Sequence, residues 1–227
     1  MLTDMQRLPV RPVVRVQQSL LAKPERRLLN WLCARLPRSI TPDKLTALGF
    51  GGTVMLVAGY GLSGMNRNWL ILTVIGYGIN WFGDSLDGSL ARYRKIERPE
   101  FGYFVDHSLD AFGNLLTLIG IGLTPWVRMD VALFAAGAYL LLSIHTFLAA
   151  RVTGTFRLSY GMLGPTELRF VLIGMAGAMY GTSFAKPSQW SGFDSFVGAA
   201  ALVMLVLFIK QTIALARELA KLPTRSA

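Results

Sequence analysis

Asp84-Ser-Leu-Asp87-Gly88-Ser-Leu-Ala91-Arg92, followed after nine residues by Gly102-Tyr-Phe-Val-Asp106-His107-Ser-Leu-Asp110, places four carboxylates in two pairs. The spacings are i,i+3 and i,i+4, so each pair shares one face of a helix. Apolar residues flank them, Ile71 to Tyr77 before and Leu115 to Thr124 after. Carboxylates in such company are costly unless a cation meets them, and four together cannot all stay ionised unaided in a partly dry site. Oxygen-only donors suit Mg²⁺, Mn²⁺ or Ca²⁺, and the sequence holds no Cys or His array that would suggest zinc. Four carboxylates can hold two such ions about 3.5–4 Å apart, an arrangement that serves phosphoryl chemistry.

The neighbours of the acids fit a phosphorylated ligand. Gly88 and Gly102 remove side chains beside them, so a bulky group can approach. Ala91 keeps the same face small, and Arg92, one turn on, can pair with phosphate oxygens. Singly, each part has a plainer explanation. An acid pair in a span can be a proton relay or a buried structural pair, and a glycine there is more often a packing contact. Four acids, two glycines and an arginine in register are much harder to explain as packing.

The elements that must position these residues are membrane spans. The chain has 227 residues, enough for one domain, with 52% hydrophobic residues and a mean hydropathy of +0.44. The apolar residues fall in long runs, which argues for a polytopic membrane protein. The single Cys33 excludes an intrachain disulfide framework. The first twenty or so residues lack an apolar h-region and a small-residue cleavage site, so no cleaved signal peptide is expected. Residues 1 to about 22 read as a cytosolic tail of weak structure. Residues 23–38 have an apolar side (Leu28, Leu29, Trp31, Leu32, Leu36) and a basic one (Arg26, Arg27, Arg35, Arg38). They read as an amphipathic helix in the headgroup region with Trp31 as an anchor; the alternative is an ordinary soluble amphipathic helix.

Thr41 is placed to cap the first span, with Pro42 at its first position. That span runs from about Leu45 to Leu62 and is rich in glycine, which permits close helix contact. The second starts near Trp69 and runs out through Asn80, Asp84 and Asp87 to Arg92, Arg94 and Lys95. The third runs from near Gly102 to about Trp126. The fourth covers about Val131 to Ala150, and a polar link from Arg151 to Ser159 follows. The fifth covers about Tyr160 to Tyr180, interrupted by Gly164-Pro165 and containing Glu167 and Arg169. Lys186 to Gly192 is a loop, the sixth span covers about Phe193 to Ile209, and the basic tail reads as a cytosolic helix extension.

The expected fold class is therefore an all-α membrane protein, six transmembrane helices preceded by an N-terminal interfacial amphipathic helix. Its parts are a tail and interfacial helix (residues 1–43), a six-span domain (44–212) and a C-terminal tail (213–227). With six spans both termini share a side. Of the 23 Lys and Arg, only Arg67, Arg128 and Lys186 fall in loops of the opposite side and Arg169 in a span. That asymmetry puts both termini in the cytosol, in a bacterial inner membrane or its equivalent. Much of the net charge of +10 is then topology signal and membrane-lipid contact rather than a nucleic-acid footprint. Spans two and three are antiparallel neighbours whose acids can face each other at similar depth, just below the cytosolic surface.

At this point the residues resemble a family. Asp84-x2-Asp87-Gly88-x2-Ala91-Arg92-x9-Gly102-x3-Asp106-x3-Asp110 is similar, at all eight fixed positions, to the signature of the CDP-alcohol phosphotransferases. The likeness extends more loosely over residues 40–210. It implies a two-metal site (Mg²⁺ or Mn²⁺) with Asp84, Asp87 and Asp106 as ligands and Asp110 as ligand or as base on the acceptor hydroxyl. It implies CDP contacts from Gly88, Ala91 and Arg92, and places Gly102 and Thr46 beside them. Family members commonly show Pro-Asn-x-Leu-Thr before the first span; here it is Pro42-Asp43-Lys44-Leu45-Thr46, with Asp for Asn. Phe104-Val-Asp106-His107 and Gly164-Pro165-Thr-Glu167 resemble the choline/ethanolamine phosphotransferase branch. His107 could relay a proton and Glu167 could assist as base or meet a cationic head group. The alternatives are a hydrogen-bonded interface histidine and a structural partner for Arg169 or Arg92.

The expected reaction moves a substituted phosphate group from a CDP-linked donor to an alcohol, with release of CMP. Either the donor carries the lipid, as in CDP-diacylglycerol, or the acceptor does. A homodimer is expected from the resemblance alone. A cation or proton transporter using the aspartates is the competing class, but it would spread acids through the membrane depth or place them on broken midplane helices.

Overall fold

A computed structural model describes residues 14–16, 20–157, 164–183 and 189–221. Residues 1–13 and 17–19 of the expected weak tail, the end of the polar link at 158–159, the start of the fifth span at 160–163, the first part of the loop from Lys186 (to residue 188) and residues 222–227 lie outside the described residues. Seven helices are described: α1 (Ala22–Cys33), α2 (Pro42–Leu62), α3 (Trp69–Arg94), α4 (Pro99–Gly122), α5 (Met129–Thr153), α6 (Pro165–Gly181) and α7 (Gly192–Leu219). Two three-residue strands, β1 (Val14–Val16) and β2 (Thr155–Arg157), add a short parallel ladder with Val14 opposite Thr155. The architecture is helical, as expected, and β1 is an addition that draws the N-terminal arm to the end of α5.

Local signals set most of the ends. Thr41 Oγ1 accepts from Lys44 N at 3.3 Å, with Pro42 at the first position of α2. α3 ends where Lys95 turns left-handed, at a φ of 57°. α5 ends at Gly154, also left-handed, which shortens the expected polar link. Gly164 is the N-cap of α6 and Pro165 its first residue, because proline supplies a ready first turn. α4 stops at Gly122, four residues before the expected Trp126. α7 runs on without a break from the expected end at Ile209 to Leu219. The N-terminal amphipathic helix is shorter than residues 23–38 and ends at Cys33.

α2, α5 and α7 are long and apolar enough to cross a membrane. α3 and α4 are longer than α2, but each carries acids near one end; the described α6 has 17 residues. α2 and α3 form the closest pair. A Cβ on Gly83 would lie 2.3 Å from Gly49 N, one on Gly52 2.4 Å from Asn80 N, and one on Gly76 2.6 Å from Leu56 N. Backbone thus meets backbone, the contact mode that suits helices in lipid.

Two apolar clusters flank the acids. The larger joins Tyr60, Tyr77, Trp126, Ala135, Met179 and Val197 from five helices and the α4–α5 turn. The smaller seats Leu29 and Cys33 of α1 on Leu45, Leu86 and Leu90. Leu28 and Trp31, by contrast, are exposed on the outer side of α1. Burial among these residues pushes the Cys33 thiol up, with Arg92 and Arg94 pulling the other way. One difference from expectation matters for the site. α2 packs along both α3 and α4, whereas those two make no extended contact with each other. They are walls of a cleft with α2 as its floor.

Candidate active site

The acid-bearing ends of α3 and α4 come to the same end of the bundle. Arg94 at the close of α3 donates to the carbonyls of Ile40, Leu36 and Pro37. Arg98, which precedes α4, pairs with Asp43 in the first turn of α2. These ties set the start of α2, the end of α3 and the start of α4 level. α1 packs beside them.

Within the cleft, Asp110 lies close enough to Asp84, Asp87 and Asp106 to feel all three carboxylates, and Arg169 as well. Asp106, His107 and Asp110 each offer a ligand atom, and these atoms lie within 4.8 Å of one another. The donor set is dominated by carboxylate oxygen, which fits a hard divalent cation. Asp110 is exposed to the cleft, whereas Asp84, Asp87 and Asp106 are half-buried. The acids expected to act together are therefore brought together from two helices.

Each has distinct neighbours. Asp87 Oδ2 accepts from Thr46 Oγ1 at 2.6 Å, so the threonine of α2 aims this carboxylate. Asp84 pairs with Arg169 of α6, whose Nε also donates to Asn80 Oδ1 at 3.1 Å. Asn80 in turn donates to Gly49 O and Thr53 Oγ1 on α2. Asn114, one turn beyond Asp110, donates to the Asp110 carbonyl and to Tyr139 Oη of α5. His107 is buried, edge-on to Tyr103 and stacked on Phe147, with Nδ1 3.7 Å from Asp106 Oδ2.

Gly102 has open space where a Cβ would be, and at Gly88 a Cβ would meet only the tip of the Arg92 side chain. Helix packing within the chain thus requires neither glycine, unlike Gly52 or Gly83. Arg92 is exposed and donates to Ser89, and Ala91 lies on the adjoining turn. Glu167 lies two residues before Arg169 on α6. It is buried at the start of α6, accepting from Gly164 N at 3.0 Å and from Leu21 N at 2.7 Å. It is a helix cap and an anchor for the N-terminal arm, and neither Arg169 nor Arg92 is its partner in those bonds.

Two residues at the site carried no expected role there, Arg169 and Asn80. The available signal was general: a cation within an apolar span must find an anion. Sequence spacing favoured the nearby Glu167, but Glu167 and Arg169 are two apart on a helix and do not face each other.

A family model described as CDP-alcohol phosphatidyltransferase matches residues 39–220. Archaetidylinositol phosphate synthase from Pyrococcus horikoshii is 34% identical over 139 residues, 60% of this chain and 69% of that protein. The crystal structure of Mycobacterium tuberculosis phosphatidylinositol phosphate synthase with CDP-DAG bound has a similar fold. The match has a TM-score of 0.56 at 21% identity and covers 83% of this chain and 93% of that one.

Proposed function

The chain belongs to the CDP-alcohol phosphatidyltransferase family, is on that ground a membrane transferase, and we propose that it moves a phosphatidyl-type group from a CDP-linked lipid to a small polar alcohol. The single observation carrying this is the convergence of Asp84, Asp87, Asp106 and Asp110 across the α3–α4 cleft. The relatives support the lipid as donor. One is a phosphatidylinositol phosphate synthase with CDP-DAG bound, and another is an archaetidylinositol phosphate synthase.

In this reading Asp84, Asp87 and Asp106 hold two divalent cations, Mg²⁺ or Mn²⁺, with Asp110 completing the set. Bound there, the ions would neutralise charge on the pyrophosphate and favour CMP as the leaving group. Thr46 keeps Asp87 turned into the cleft. Arg92, with Gly88, Ala91 and Gly102 leaving room, meets the nucleotide phosphates. The acceptor hydroxyl gives its proton to Asp110 and attacks the phosphorus remote from cytidine; P–O bond formation to the alcohol accompanies P–O cleavage to CMP. His107 sits beside Asp106 and Asp110 and could receive the proton next. Glu167 acts in this reading as the cap of α6.

The membrane arrangement proposed with it is six spans, α2 to α7, with both termini cytosolic and α1 lying in the headgroup layer. A homodimer also remains a proposal. The test is CMP release by purified protein given CDP-diacylglycerol, a panel of small alcohols and Mg²⁺. Asp110→Asn is expected to lower the rate by at least about 10²-fold. Wild-type turnover in that variant, or no CMP from any CDP-linked donor with wild-type protein, overturns the proposal.

A further inference from the structure

Glu25 lies on α1, outside the acid cleft, yet one of its oxygens gathers three donors from two other helices. Oε1 accepts from Trp81 Nε1 at 2.8 Å and Ser85 Oγ at 3.3 Å, both on α3, and from Thr166 Oγ1 at 2.8 Å on α6. Ser85 follows Asp84 directly, and Thr166 is one turn before Arg169. The two α6 residues share a face, at i and i+3. One rung of the α3–α6 contact is thus Glu25 with Ser85 and Thr166, and the next is Asp84 and Asn80 with Arg169. Glu167 also ties α6 to the residue just ahead of α1, through Leu21 N.

We infer that Glu25 is a positioning residue, which sets the register of α6 against α3 so that the Arg169 guanidinium faces Asp84. Three donors converging on one carboxylate oxygen define a small region in which it can sit, and charge-assisted bonds of this kind are stronger than neutral ones. Among the described residues, the polar ties between α3 and α6 that remain without Glu25 are those of Arg169 with Asp84 and Asn80, with apolar contacts beyond them. α1 thereby has two jobs on two faces: its exposed Leu28 and Trp31 suit the headgroup layer, and its inner face steers the cleft. The effect on turnover rests on the proposed reading of the cleft; the tie between helices does not.

A double-mutant cycle tests this in the full chain reconstituted in lipid, read by CMP release and by thermal unfolding. Glu25→Ala is expected to slow CMP release roughly tenfold. Added to Arg169→Ala, it should cost less than about twofold more, because the register it sets then has nothing to aim. Glu25→Gln keeps an acceptor for the same donors and should recover most of the rate. Thr166→Val, a milder change to α6, should reproduce part of the loss and be non-additive with Glu25→Ala. Additive losses, or a Gln variant no better than the Ala one, overturn the assignment. If wild-type protein releases no CMP, the functional reading fails and the thermal cycle alone decides. Independent Tm shifts for Glu25→Ala and Thr166→Val would then overturn the tie.

Discussion

At the residue scale the site is a set of identical side chains made unequal by their neighbours. Asp84 has a guanidinium and Asp87 a hydroxyl, while Asp106 stands beside a ring nitrogen and Asp110 opens to the cleft. Partners of this kind orient a ligand oxygen before any cation arrives, and losing one commonly costs about 10–100-fold in metal affinity. Thr46→Val keeps the shape and removes the donor to Asp87. It should raise the Mg²⁺ concentration for half-maximal CMP release by roughly tenfold, with a smaller change in the saturated rate. An unchanged Mg²⁺ dependence would mean that Thr46 does not act through Asp87. The two acid pairs were legible because the spacing within each is local, and Thr46 was legible only through the family resemblance, since its bond to Asp87 spans 41 residues. Arg169 was not, because its partner Asp84 is 85 residues away.

At the scale of elements, the cleft exists because α2 holds α3 at backbone distance and leaves α4 to form the other wall. Glycine at a few positions makes that possible. Gly83→Ala would push a methyl into the Gly49 backbone, where no flexible side chain can yield. It is expected to destabilise by about 1–3 kcal/mol, as overpacking does, and to lower the Tm in detergent. Gly78→Ala, on the same helix but facing open space, should be neutral or raise stability by up to about 1 kcal/mol. Equal Tm values for the two would argue against the seam. The glycine-rich composition of the first span signalled close packing. Which glycines meet backbone and which, like Gly51, meet nothing follows only from the crossing of the two helices.

For the whole molecule, the uneven placement of Lys and Arg and the levelling of the α2, α3 and α4 ends carry a sidedness prediction. Met65, in the α2–α3 turn, and Ile96, in the α3–α4 turn, are both exposed and at opposite ends of α3. In a Cys33→Ala background, a membrane-impermeant maleimide added to intact cells should label Met65→Cys and spare Ile96→Cys until the cells are permeabilised. The reverse pattern would invert the proposed topology. Native Cys33 should react slowly even then, since it is buried and its raised pKa leaves less thiolate at neutral pH.

By itself the sequence determined the helical class, the membrane character, the four acids and the glycines and arginine beside them, and with them the family. All of these are local: a hydrophobic run, a cap or an i,i+3 spacing is written within one or two turns of helix. The tertiary structure decided which neighbour each acid keeps. It separated α3 from α4 into a cleft, gave Glu167 the capping of α6, and brought Arg169 to Asp84. It also tied α1 to α3 and α6 through Glu25, a bond spanning 141 residues in the case of Thr166. Contacts of that range depend on how whole helices cross, and a crossing is set by the sum of many side-chain fits rather than by any short stretch of chain.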